Sequence, residues 1–146
     1  MPESILHRNL VLGIRNWIAL KYFSGDIGPV FVDLPEHRPK AIPPKLIDFM
    51  PDVFVYESNG IGPIVGEAKT YKDLETRHSI QQFNSFLTWC NVYDNATFIL
   101  SVPWDLDRAA KWLLEDLKNK IGASKVNLVV INEVSCHSLG TIYAAD

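Results

Sequence analysis

At 146 residues, 47% hydrophobic and 21% charged, the chain has the length and composition of one globular domain with enough apolar material for a core. No apolar run approaches the roughly 18 residues of a membrane span, and MPESILHRNL lacks the basic start and apolar block of a signal peptide, so a single cytoplasmic domain with no membrane partner is expected. A net charge of −3 argues against a general nucleic-acid binder, because phosphate contacts need Lys and Arg, while leaving room for a local basic face.

In chain order, Leu6, Leu10, Ile14, Trp17, Ile18 and Lys21 recur at helical spacing, and Ser24-Gly25-Asp26 ends that first helix. GPVFVDLPE then reads as a short strand, followed by HRPKAIPPK, too rich in proline for regular structure. Two apolar runs within Pro51–Thr70 flank Ser58-Asn59-Gly60-Ile61 and read as a hairpin. A second helix spans roughly Thr76 to Val92, with Ile80, Phe83, Leu87 and Cys90 on one face, and ATFILSVP is the next strand. Asp105 is placed to cap a third helix whose stripe is Leu106, Ala110, Leu113, Leu117 and Ile121, Gly122 closes it, and KVNLVVINEV is the last strand. The order is α-β-β-β-α-β-α-β. Cys90 and Cys136 are far apart with no CxxC spacing and read as buried thiols, not as a disulfide or a zinc site.

The hairpin sets the chemistry. Asn-Gly between apolar runs favours a two-residue type I′ turn, which wants positive φ at both central positions. With Asn59 and Gly60 as the turn, Asp52 falls directly opposite Glu67, and Lys69, two positions on, points to the same face. A register one residue out would separate Asp52 from the other two. Apolar residues fill both faces of these strands, Phe54, Tyr56 and Val65 on one and Val53, Val55, Ile64, Gly66 and Ala68 on the other, so the pair should lie centrally and be covered on both sides. Opposed carboxylates there cost stability unless a cation sits between them. Geometry alone leaves two occupants open: a divalent ion such as Mg²⁺, which takes one or two carboxylates plus waters and phosphate oxygens, or simply the Lys69 ammonium in a salt bridge.

Pro51-Asp52, fourteen intervening residues, then Glu67-Ala68-Lys69 resembles the PD-(D/E)xK motif of the restriction-endonuclease-like nuclease superfamily, in its ExK form. The element order matches that superfamily's αβββαβ core over roughly residues 5–102. The resemblance therefore implies an α/β fold, a central mixed β-sheet flanked by helices, with an additional C-terminal helix and strand beyond the core. Several branches carry a glutamine followed four residues later by tyrosine on the helix after the ExK strand; here Gln82 is followed by Phe86, keeping the ring and losing the hydroxyl, while Gln81 with Ser85 fits less well.

What the resemblance implies is metal-dependent hydrolysis of DNA phosphodiester bonds. Asp52, Glu67 and the Ala68 backbone carbonyl would hold Mg²⁺, with Mn²⁺ as a possible substitute, and Lys69 and Gln82 would complete the catalytic set. With an ordinary pKa of about 10.4, lysine suits orienting the water and neutralising phosphate charge better than acting as a general base. Gln82 would position the water or the Lys69 amine. Glu3 and Asp48 are candidate additional acids, although a helix dipole explains Glu3 and a loop explains Asp48. His7, His37, His78 and His137 show no mutual ligand spacing, and of these only His78 falls near the motif. Arg38, Lys40, Lys45, Lys72 and Arg77 are the basic residues that would meet phosphates; Trp89, Trp104 and Trp112 read as core or helix packing. A domain this small has no separate reader module, which points to a homodimer or a targeting partner. The alternative function is a catalytically inactive binding or assembly subunit on the same fold.

Overall fold

The computed structural model describes residues 4–37 and 42–135. Helix α1 (Ile5–Tyr22) opens on Ser4, whose hydroxyl accepts from the His7 N–H, and ends where Ser24 and Gly25 turn to φ 53° and 89°. Then come β1 (Phe31–Val32), β2 (Val53–Val55), β3 (Ile64–Ala68), α2 (Arg77–Cys90), β4 (Thr97–Ser101), α3 (Asp107–Ile121) and β5 (Asn127–Ile131). The expected order of elements is the observed one, with 3₁₀ turns added at Pro35–His37 and Trp104–Leu106.

The five strands form one open sheet in chain order. The first three are antiparallel neighbours, whereas β3, β4 and β5 run parallel, with α2 and α3 as the crossovers between them. The sheet is therefore mixed, and helices cover both faces. Leu10, Val11, Ile14 and Ile18 of α1 pack on Val53, Val55, Ile64, Ala68 and Ile99. Phe83, Phe86, Leu87 and Leu114 of α2 and α3 pack on Phe54, Val65, Phe98 and Leu100. Each such buried side chain contributes roughly 1.5–3 kcal/mol, so the two layers clamp β2 and β3 between them.

Gly66 permits the closest approach of these layers: a Cβ there would lie 2.8 Å from Ile14 Cγ2 and 3.1 Å from Val53 Cβ. Asn59 and Gly60 adopt φ 45° and 81°, and Ser58 and Ile61 exchange two backbone hydrogen bonds at 3.0 and 2.8 Å, which is the two-residue turn the sequence implied. The register follows from it, Val53 facing Gly66, Phe54 facing Val65 and Val55 facing Ile64.

Three local expectations are corrected. Asp105 does not cap the third helix: it sits inside the 3₁₀ turn, and α3 starts two residues later after Leu106, with no side-chain cap. Trp104 and Trp112 are not core, each being 66% exposed, because the buried stripe of α3 is Ala110, Leu113, Leu114 and Leu117. The second helix stops at Cys90, not Val92, with Asn91 as its C-cap. Cys90 is a buried free thiol whose pKa burial pushes up to about 12. Cys136 lies outside the described residues.

Candidate functional site

The regular ladder between β2 and β3 ends at Val53 and Gly66, and two carboxylates make the next rung. Glu67 Oε1 accepts from the Asp52 N–H at 3.0 Å, and Asp52 Oδ2 accepts from the Ala68 N–H at 2.9 Å. The acids are thus opposed as the hairpin register requires, each tied to the other's strand by a backbone donor. The Asp52 carbonyl accepts from the Asp33 N–H at 2.8 Å, which fixes this end of the strand from the β1 side.

Strand alternation turns Glu67 toward α2, and Lys69 follows it to the same face. Lys69 Nζ lies 3.3 Å from Glu67 Oε2 and donates to Gln82 Oε1, one and a half turns into α2. Thr76 starts that helix at the right point by accepting from the Ser79 N–H, so the cap governs where Gln82 stands. Glu67 is 3% and Lys69 8% exposed, a low-dielectric setting for three formal charges. Burial, then the Asp52 charge, raises the Glu67 carboxyl well above its ordinary value, and the nearby Lys69 ammonium only partly offsets them.

A buried carboxylate, Glu67, destabilised as an anion and facing the partly buried Asp52, forms a donor set with room for added positive charge. Among the described residues, no three or more His, Cys, Asp or Glu side chains gather as a metal-holding group. Two carboxylates beside a backbone carbonyl are the kind of oxygen donors that a hard ion takes when water or phosphate oxygens complete its shell. Asp52, Glu67 and the Ala68 carbonyl fit that description.

The residues named from sequence divide clearly. Asp52, Glu67, Ala68, Lys69 and Gln82 come together. Asp48 does not join them; it is exposed in the turn bracketed by the Leu46–Phe49 bridge, where Ile47 is at φ 61°. His78 is exposed and packs edge-on against Phe49, with ring centroids 5.5 Å apart. Phe86, four residues after Gln82, is fully buried against Phe98. Lys45 belongs to the opposite end of the sheet, where it lines a cavity with Phe54, Tyr56, Trp89 and Tyr93. Glu3, Arg38, Lys40 and His137 lie outside the described residues.

His7 is the residue that sequence reasoning missed. Its Nε2 is 3.3 Å from Asp52 Oδ2, across the gap between α1 and the end of β2. No local spacing signalled it, because the approach depends on how α1 crosses the end of the sheet.

No family model, no curated protein and no solved structure matches the chain, so the chemistry of this constellation rests on its own geometry.

Proposed function

We propose that the chain is a metal-dependent DNA endonuclease. The observation that carries this reading is the Asp52–Glu67 rung: two opposed, largely buried carboxylates with a lysine beside them and a glutamine on that lysine. A purely structural ion pair needs one acid, and the second raises the first one's pKa instead of lowering it.

Asp52, Glu67 and the Ala68 carbonyl would hold Mg²⁺ or Mn²⁺, which when bound supplies Lewis-acid polarisation of a phosphate and acidifies water. Lys69, fixed by Glu67 and Gln82, offers its remaining protons to a phosphate oxygen or to the attacking water and so stabilises charge that develops there. Gln82 holds the lysine and leaves it in reach of substrate. His7 steadies the Asp52 carboxylate from α1. Water attacks the phosphorus, the bond to the leaving oxygen breaks, and the products are a phosphate monoester end and a hydroxyl end.

One observation favours the alternative, an inactive subunit on the same scaffold: Lys69 already has both Glu67 and Gln82 as partners without any added ion. The deciding experiment incubates purified protein with supercoiled, linear and branched DNA, with and without Mg²⁺ or Mn²⁺. Cleavage that needs the ion and disappears in Asp52→Ala and Glu67→Ala supports the nuclease; no cleavage of any DNA form with either ion removes it.

A further inference from the structure

Three loops leave the carboxyl ends of β3, β4 and β5, and hydrogen bonds join them into one rim. The Tyr71 hydroxyl, after β3, donates to Asp105 Oδ1, after β4, at 2.8 Å. The Trp104 N–H donates to Glu133 Oε1, after β5, at 2.6 Å. These bonds fix a backbone amide and a hydroxyl and leave the rings outside, Trp104 66% and Tyr71 55% exposed.

The rim adjoins the carboxylate site. Ala68 and Ser101 are register partners across β3 and β4. Tyr71 follows Ala68 by three residues and Trp104 follows Ser101 by three, so each ring's backbone begins within about 10 Å of that pair. Tyr71 is bonded to the residue next to Trp104, so both side chains belong to this one rim.

Charge distinguishes the forms of DNA that fit here. Asp105 and Glu133 stand beside the rings, and a duplex laid on this rim would bring its outward phosphates against both acids. An unpaired strand has another option. It can turn its bases onto the aromatic faces, where stacking tolerates any sequence, offer its exocyclic amines to the carboxylates, and turn its phosphates toward the exposed Lys72 and Arg77.

We propose that Tyr71 and Trp104 form a stacking platform for unpaired nucleotides beside the Asp52–Glu67 site, and that the substrate is DNA with a single-stranded segment next to the scissile bond. This inference rests on the nuclease reading, and its test separates the two. Binding is measured in EDTA by anisotropy of a short labelled single-stranded oligonucleotide and of a blunt duplex of the same sequence, with tryptophan emission followed in parallel. Wild type should prefer the single strand and lose emission on binding it. Trp104→Ala and Tyr71→Ala should each weaken single-strand binding about ten-fold, change duplex binding less than two-fold, and for Trp104→Ala remove most of the quench. Trp112→Ala, equally exposed but about 8 Å along α3 from its start, should behave as wild type. With Mn²⁺, wild type should cut forked DNA faster than blunt duplex, and Trp104→Ala should lose that preference. Binding of single strands without any cleavage would keep the platform while removing the nuclease. Equal or tighter binding to blunt duplex, or unchanged single-strand binding in both variants, would overturn the platform even where cleavage is robust.

Discussion

Removing water from Glu67 costs its anion more than Lys69 returns, and this imbalance makes the site responsive to pH. Its folded pKa is raised by burial first and Asp52 second, so the folded state holds a proton that the unfolded chain releases near its ordinary 4.5. The associated stability is full below that value and is lost as pH rises through the higher folded one. Thermal melts in EDTA should therefore show a melting temperature that falls as pH climbs above 4.5, a slope that Glu67→Gln flattens, with the variant more stable than wild type at neutral pH. A melting temperature independent of pH across that interval would mean Glu67 stays ionised and well paired. Mg²⁺ or Mn²⁺ should raise the wild-type melting temperature, by the equivalent of about 2.7 kcal/mol at a hundred times its Kd, and should fail to do so in Glu67→Ala. Lys69→Ala discriminates further: in a nuclease it abolishes cleavage but keeps the metal-induced rise, whereas in an inactive scaffold it costs about 3–5 kcal/mol and metal does nothing. The core of this site was legible because a hairpin register is local, fixed by two turn residues, and sorts Asp52, Glu67 and Lys69 onto one face. His7 was not, because its approach to Asp52 depends on how α1 crosses the sheet, which no nearby spacing encodes.

Among the elements, β3 carries both a close approach of α1 and the site, and Gly66 is where the two meet. An alanine there drives its Cβ to 2.8 Å from Ile14 Cγ2 and 3.1 Å from Val53 Cβ, one residue before Glu67. Gly66→Ala should destabilise the fold by about 1–3 kcal/mol, and Ile14→Leu in the same chain should recover part of it, because leucine lacks the β-branch methyl Cγ2 that meets the new Cβ. Urea melts of the single and double variants measure both effects; equal stability of Gly66→Ala and wild type would mean that α1 does not sit this close. Helices and strands with strong periodicity were readable, α1 by its stripe and its Ser24-Gly25 stop and α2 to within two residues at its C-terminal end. The start of α3 was not: Asp105 has the chemistry of a cap, but Tyr71 claims its carboxylate and the chain makes a 3₁₀ turn first. The exposure of Trp104 and Trp112 has a different cause: the buried stripe of α3 runs through the expected Ala110, Leu113 and Leu117, Trp112 lies off it, and Trp104 lies in the turn before the helix. Only the five-stranded mixed sheet with three flanking helices follows from the architecture itself; a nuclease core is the reading that the motif adds to it.

For the whole molecule, charge is the constraint that any DNA-cleaving activity must meet. A net charge of −3 means that attraction to DNA has to come from a face, and the three candidate phosphate contacts among the described residues, Lys45, Lys72 and Arg77, divide between opposite ends of the sheet. Lys72 and Arg77 flank the carboxyl end of β3, where the carboxylates are, while Lys45 stands beside Trp89 and Tyr93 near the other end of α2. Contacts with phosphates release counterions without reading bases, so their loss shows in salt dependence and not in sequence preference. Replacing Lys72 and Arg77 together with Gln should weaken binding similarly for unrelated DNA sequences and flatten the plot of log K against log salt by roughly two units or fewer. Lys45→Gln should leave that slope unchanged. Titrations at several salt concentrations, in EDTA so that nothing is cut, measure the slopes directly. If Lys45→Gln flattens the slope and the double variant does not, DNA approaches the aromatic cavity end of the sheet, and the carboxylate rung faces away from it.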